Sequence, residues 1–314
     1  MQAFLQIVRW KNLAIIALTM YSVRFYFFFN SELEVTTNLK EHFDFFLLVV
    51  STVFIAAGGY SINDYFDVKT DALSHPNRPL VTGKLSRRFA LKVHLISSAL
   101  GGLIGVYLLL VNHQLSVFIC QLFSIGALIY YAAVLKRTFL IGNITIALLT
   151  ALVVWLSSAY LMNVESQFLN FNGQFNHFYF SNFSWFFTIF SFGLTLVREL
   201  IKDMQDIEGD ASIQAKTVPI LWGINRSKYF VMALLLVILL VLIAQMKVQM
   251  QWSDAYVRQI PLGSIALIFL LVIGLLAFNK LSLVRLKWID GSIKIAMVVG
   301  VILPFYWKWM EVFG

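Results

Sequence analysis

The stretch "NDYFDVKTDALSHPNRPL" at 63–80 places Asn63, Asp67 and Asp71 at i, i+4 and i+8, directly after the apolar run "FFLLVVSTVFIAAGGYSI". A second stretch, "RELIKDMQDIEGDASIQAKTVPILWG" at 198–223, spaces Asp203, Asp206 and Asp210 at i, i+3 and i+7. On a helix each trio lies along one face. Like charges stacked this way repel unless a cation offsets them. Hard oxygen donors suit Mg2+, which keeps several waters and takes one or two carboxylates together with substrate phosphates. Two carboxylate sets exceed the need of one such ion, so the pattern points to several Mg2+ ions gripping a diphosphate. Arg78 follows the first set, Lys202 and Lys216 bracket the second, and Lys136 closes the fourth apolar stretch. Arg offers phosphate a bidentate fork and Lys a point charge. In "HPNRP" each proline disfavours helix in the residue before it, which sets a turn after the first trio.

Elements that position such residues follow from composition. The chain of 314 residues is 60% hydrophobic and only 13% charged, with a mean hydropathy of +0.79. Soluble domains are about 45–50% apolar and about 25% charged. This is the composition of an all-α polytopic membrane protein, since a membrane-crossing helix needs about 20 mostly apolar residues. Nine stretches approach that length: Leu13 to Phe29, Phe45 to Ile62, Phe89 to Val111, Leu115 to Val134, Ile141 to Met162, Trp185 to Ile201, Tyr229 to Ala244, Ile260 to Phe278 and Ile293 to Trp309. No room remains for a soluble domain, and residues 1–314 read as a single transmembrane domain. The first stretch ends in "SVRFYFFFN" without a small-residue cleavage site, so it is expected to stay as a helix rather than act as a signal peptide.

Charge distribution gives an orientation. Seventeen Lys and Arg residues fall on one set of alternate loops, among them Arg9, Lys11, Arg78, Lys136, Lys202, Lys216 and Lys287, against Lys40, Lys247 and Arg258 on the other set. The positive-inside rule then places the N-terminus and both aspartate stretches in the cytoplasm, and nine spans place the C-terminus outside. The two polar clusters are thereby expected at one cytoplasmic mouth of a multi-pass protein of the cell (inner) membrane.

Other chemistries find no foothold. The formal charge of +8 is scattered over short loops with no basic tail, which argues against a nucleic-acid partner. Cys120 is the only cysteine and can form neither an internal disulfide nor a thiolate metal site. His42, His75, His94, His113 and His177 share no metal-ligand spacing, and no nucleophile elbow, zincin motif or phosphate-binding glycine loop is present. The aromatic cluster "NHFYFSNFSWFF" from Asn176 reads as an interface belt. No obligate protein partner is implied. A solvated loop beyond a span is the bland reading of either acidic stretch alone. Two stretches on one side at helical spacing favour function, as ionisable groups at membrane depth do by default.

"DVKTDALSHPNRPLVTG" and "DIEGDASIQAKTVPILWG" each run Asp-x-x-x-Asp and later Pro with Gly four residues on, a short match consistent with a duplicated helical unit. "NDYFDVKTD" with "NRPLVTG" resembles the first aspartate-rich motif of the UbiA-type intramembrane prenyltransferases, and "KDMQDIEGD" with "AKTVPILWG" resembles their second. That resemblance covers nearly the whole chain in motif order. It implies a nine-helix bundle with a central cavity open to the cytoplasm and the motifs on its second and sixth helices. It also implies Mg2+ as cofactor, with metal and catalytic roles for Asn63, Asp67, Asp71, Asp206 and Asp210, and a metal role for Asp203. "YYAAVLKRTFLIGNITIA" resembles the junction of the fourth and fifth helices, implying a diphosphate role for Lys136 and packing or site roles for Gly142 and Asn143. "RWKNL" resembles the first-helix Arg-Pro-x-Asn signature but lacks its proline, which weakens the case for roles at Arg9 and Asn12.

The implied reaction is transfer of a prenyl group from a prenyl diphosphate to a lipophilic acceptor inside the lipid bilayer. Arg78, Lys136, Lys202 and Lys216 are the expected diphosphate-binding residues. The second motif, from Arg198 to Pro219, resembles most the branch that prenylates geranylgeranylglyceryl phosphate. An aromatic acceptor of quinone synthesis (4-hydroxybenzoate, dihydroxynaphthoate or homogentisate) is the alternative. From another class, an ion-coupled transporter also carries intramembrane charge, but its sites tend to sit near the midplane on broken helices.

Overall fold

The computed structural model describes residues 2–28, 39–168, 177–249, 255–278 and 281–313, and every statement below concerns these residues. In chain order the helices are α1 (Gln2–Ile7), α2 (Trp10–Phe28), α3 (Leu39–Ser74), α4 (Arg87–Asn112), α5 (Leu115–Ala133), α6 (Ile141–Phe168), α7 (His177–Gln205), α8 (Ile207–Ser212), α9 (Val218–Gln249), α10 (Ala255–Ala277) and α11 (Leu283–Phe313), with a 3-10 turn at Leu135–Arg137. Helices are what a bilayer permits, because backbone polar groups have no water partner in the hydrocarbon region.

Eight of these helices are long and apolar enough to cross a membrane, and the chain is a multi-pass membrane protein. The ninth expected span, α2, has the length but is not among the eight; Lys11, Asn12 and Arg24 lower its apolarity. Counted by length alone, nine described helices have 19 residues or more. The first aspartate stretch sits on α3, the second of the long helices, and the second stretch begins at Asp203 near the end of α7, the sixth, and runs beyond it.

α3 explains how the first stretch is displayed. Its 36 residues give a rod of about 54 Å, against a hydrocarbon core of about 30 Å. The apolar run from Phe45 to Ile62 fills the bilayer thickness, and the same helix carries Asn63 to Asp71 beyond it. His75, Pro76 and Pro79 then end it, since proline removes a donor and restricts the residue before it. Ser86 restarts the chain as an N-cap, its Oγ accepting from the Phe89 amide at 3.1 Å.

The described residues fall into two compact units, one of Met1–Thr138 with Trp155–Phe175, the other of Phe139–Val154 with Asn176–Gly314. In the first, α3 and α4 approach closely through small residues. A Cβ on Gly101 would lie 2.7 Å from Ile55 Cγ1 and 3.0 Å from the Ser51 carbonyl oxygen. Close approach of this kind holds helices together where lipid supplies no hydrophobic drive. Ser51 Oγ donates to the Gly101 carbonyl at 2.8 Å and accepts from Gln121 Nε2 at 2.8 Å, which ties α3, α4 and α5. Beneath the first aspartate stretch, Ile7 and Val8 pack with Ala57, Leu80 and Ala90, so the N-terminus and the chain after α3 share one apolar floor.

In the second unit α7 packs against α9 and α11, and α10 lies against α9 and α11. Phe183, Phe186, Phe187 and Phe190 form a continuous aromatic ladder on α7 that meets Trp307 of α11 and Phe269 of α10. Part of the expected interface belt is therefore buried core. α9 breaks at Gly223, where φ 78° and ψ 161° are open to glycine alone.

Candidate active site

In the first unit the continuous α3 brings Asn63, Asp67 and Asp71 to one face, as their spacing requires. Asp67 and Asp71 are only 4% and 6% exposed, so neither belongs to a solvated loop. Asn63 Nδ2 donates to Asp67 Oδ2 at 2.6 Å, and Lys136, from the 3-10 turn after α5, donates to the same oxygen. Arg78 donates to Asp71 Oδ2 at 2.6 Å, and His75 stands 3.9 Å from the other oxygen of that carboxylate. Two of the four expected diphosphate cations are thus held on the aspartates by tertiary contact.

A third carboxylate was missed. Asp64 is 5% exposed and accepts from both Arg9 at 3.0 Å and Arg78 at 3.3 Å. Asp64, Asp67 and Asp71 run at i, i+3 and i+7, the spacing of Asp203, Asp206 and Asp210. That shared register was the available signal, and following Asn63 by fours passed over it. Arg9, whose role the missing proline had weakened, sits at φ 51° between α1 and α2 with its guanidinium over the Tyr60 ring. Burial lowers its pKa, but Asp64, then Tyr60 and Asp67, outweigh this and hold it above the ordinary value. Three cations therefore meet three carboxylates in this unit.

The second stretch differs from its expected geometry. It is not one continuous helical face: α7 ends at Gln205, Asp206 adopts φ −99° and ψ 14°, and Asp210 lies on the short α8. The Asp206 amide still bonds the Lys202 carbonyl at 2.9 Å and the Asp210 amide the Asp206 carbonyl at 3.0 Å, so the break is a local bend. Asp203 accepts from Asn143 Nδ2 of α6 at 2.8 Å. Asp210 is 8% exposed. Lys202 turns to Glu199 at 2.5 Å, and Lys216 is exposed between α8 and α9. Arg198 Nε donates to Asp290 of α11 at 3.1 Å, a partner 92 residues away that no local pattern announces.

Among the described residues no group of three or more His, Cys, Asp and Glu side chains converges at metal-binding distance. The donor chemistry still fits Mg2+, which asks for one or two carboxylates and takes its remaining ligands from water and phosphate. Each unit supplies at least two such carboxylates on adjacent turns.

Comparison with known proteins gives the family and the fold. Residues 33–297 match the model of the UbiA prenyltransferase family. The chain is 29% identical over 274 residues to the digeranylgeranylglyceryl phosphate synthase of Saccharolobus solfataricus, covering 80% of this chain and 82% of that protein. It is 37% identical over 187 residues to the synthase of the same name from Methanothermobacter thermautotrophicus, covering 59% of each, less than two thirds of that relative's length. A solved structure of digeranylgeranylglyceryl phosphate synthase superposes with a TM-score of 0.69 at 22% identity over 99% of this chain and 98% of that one. A UbiA homolog from Archaeoglobus fulgidus bound to GPP and Mg2+ gives 0.55 at 16% identity over 96% and 99%. At these identities the structures establish the fold.

Proposed function

The chain belongs to the UbiA prenyltransferase family, and on that premise we propose that it transfers a geranylgeranyl group from its diphosphate to geranylgeranylglyceryl phosphate with Mg2+ as cofactor. The observation that carries the reading is the buried face of α3, where Asp67 and Asp71 are engaged by Lys136 and Arg78. Carboxylates that only decorated a loop would be exposed and would not collect cations from 69 residues away. The named relatives and the GPP- and Mg2+-bound homolog support the substrate classes.

In this reading Asp67 and Asp71 of α3 would hold Mg2+, as would Asp203, Asp206 and Asp210. Mg2+, when bound, supplies positive charge against the diphosphate oxygens. Asn63 orients Asp67 through its amide. Lys136 and Arg78, already beside the carboxylates, turn their charge to the diphosphate as it departs. The allylic C–O bond breaks with its electron pair leaving on diphosphate. The acceptor's hydroxyl oxygen then forms the new C–O bond, and its proton passes to the diphosphate or to water. No strong base is required, because the allylic cation is the stronger driving partner. Water must be kept from that cation, which it would otherwise capture, and a site within a multi-pass membrane protein would serve that exclusion.

The basic loops support a cytoplasmic site in the cell membrane; labelling of cysteines placed at 69 and 216 from the cytoplasmic face tests that orientation, and labelling from outside contradicts it. For the acceptor, purified protein is given labelled geranylgeranyl diphosphate and Mg2+ with geranylgeranylglyceryl phosphate, 4-hydroxybenzoate, dihydroxynaphthoate and homogentisate in competition. The expected product is the glyceryl phosphate ether. Label on an aromatic ring with none on the glycerol overturns the acceptor.

A further inference from the structure

The first unit carries a set of cations outside the aspartate site. Lys11 stands in the first turn of α2, and Arg88 and Lys92 stand on the first two turns of α4. All three are exposed, and none forms an ion pair among the described residues. Their own segments offer them no acid: no Asp or Glu precedes Glu32, and none lies between Asp71 and Glu165. The carboxylates at that end of α3, Asp64, Asp67 and Asp71, are buried and already engaged by Arg9, Lys136 and Arg78. A cation in the first turn of a helix opposes the helix dipole, so α2 gains nothing from Lys11, nor α4 from Arg88.

Each cation heads an apolar stripe that faces away from the protein. On α2, Lys11 is followed at i+4 and i+7 by Ile15 and Leu18, both exposed. On α4, Arg88 leads at i+7 to Leu95, 58% exposed, and Lys92 leads at i+4 to Ile96, 60% exposed. An apolar stripe exposed on a membrane-crossing helix meets lipid chains. The cation at its head then stands at the depth of the headgroups, where Lys and Arg extend their charged ends toward water. Exposed Trp10 adds an aromatic of the kind that membrane interfaces favour, and exposed Phe4 of α1 meets Phe89 of α4 edge-on at 6.4 Å. The starts of α2 and α4 form one surface, because Leu13 and Val93 both pack against the buried cluster that holds Ile7, Val8 and Ala90.

We infer that Lys11, Arg88 and Lys92, flanked by Phe4 and Trp10, form a surface that binds the phosphate groups of anionic phospholipids and holds this end of the first unit at the membrane surface. Bilayer lipid is the partner rather than a free anion, because the cations are spread over two helix starts and each tops a lipid-facing stripe. Such an arrangement meets several headgroups side by side. Arg88 offers a phosphate its planar fork, and the two lysines offer point charges on flexible stems. A zwitterionic headgroup brings its own cation to the same surface, so lipids of net negative charge are preferred. The inference is independent of the acceptor and of the reaction.

The test melts the purified full-length protein in neutral detergent while phosphatidylglycerol, phosphatidylcholine or inorganic phosphate is titrated. Phosphatidylglycerol is expected to raise the midpoint saturably, at concentrations where the other two do not, and added salt should shrink the rise. Lys92→Gln should weaken the apparent affinity for phosphatidylglycerol about fivefold, and the triple variant Lys11→Gln, Arg88→Gln, Lys92→Gln about a hundredfold. The charge-keeping triple Lys11→Arg, Arg88→Lys, Lys92→Arg should retain it. Midpoints in detergent alone and prenyl transfer in detergent should stay as in the unaltered protein, because the three side chains are exposed and lie outside the site. Should the neutral triple variant fail to melt cooperatively, the fivefold loss in Lys92→Gln decides alone. An equal rise with phosphatidylcholine or with inorganic phosphate, or an undiminished response in Lys92→Gln and the neutral triple variant, overturns the surface. Unaltered protein that shows the lipid response but transfers no prenyl group leaves this inference standing and overturns the proposed function.

Discussion

Asp67→Asn is expected to lower prenyl transfer about a thousandfold while the protein stays folded and in the membrane. The carboxylate is 4% exposed and accepts from Asn63 and Lys136. Asparagine keeps the volume and one acceptor oxygen but removes the charge that a divalent cation needs. Losing one partner of a fully buried ion pair costs about 3–5 kcal/mol, yet the Lys136 side chain is 33% exposed and water can take over its charge. Stability should therefore fall much less than activity. Asp206→Asn should behave alike, because Asp206 is half-buried at a bend and its side chain makes no hydrogen bond or ion pair among the described residues. Turnover and a thermal melt on the same preparation check the claim. Undiminished turnover in either variant returns that residue to the status of a polar helix end.

Lys136→Ala should lower kcat about a hundredfold, with KM for the acceptor little changed. The residue stands on a 3-10 turn outside the long helices, which fixes its backbone while leaving a long flexible stem. Its ammonium is the nearest cation to Asp67, so it neutralises that carboxylate at rest and the leaving diphosphate during reaction. Charge that matters only as the C–O bond breaks shows in kcat rather than in ground-state binding. Lys136→Arg should recover part of the loss. A variant that binds acceptor poorly but turns over at the normal maximal rate would place Lys136 at the acceptor instead.

Sequence was most informative where one helix carried both the apolar run and the polar face. Asn63, Asp67 and Asp71 could be read because α3 continues without a break to Ser74, so spacing translates directly into geometry. The same reasoning failed at Asp206. The segment "KDMQDIE" holds neither proline nor glycine at the break itself, so no local signal marks the bend at Asp206. Asp64 was legible in principle through its register with Asp67 and Asp71. Its partners Arg9 and Arg78 approach from the chain before α2 and from the turn after α3, and long-range pairing of that kind has no periodic signature. Asp290 was invisible for the same reason, as was the close approach of Gly101 to Ser51, which depends on which helices become neighbours. Part of the aromatic segment expected at the membrane interface is buried instead, because apolarity alone does not say whether a ring meets lipid or protein.

The central claim is that the carboxylates of α3 and of the α7–α8 bend work through Mg2+ to release diphosphate. The most direct measurement is diphosphate release from geranylgeranyl diphosphate by the purified, detergent-solubilised protein with geranylgeranylglyceryl phosphate present, while free Mg2+ is titrated and then removed with EDTA. The account predicts release equimolar with ether product, saturable in Mg2+, abolished by EDTA, restored by added Mg2+ and absent in Asp67→Asn at every Mg2+ concentration. Release that continues undiminished in EDTA, or that Asp67→Asn supports at the rate of the unaltered protein, would contradict it.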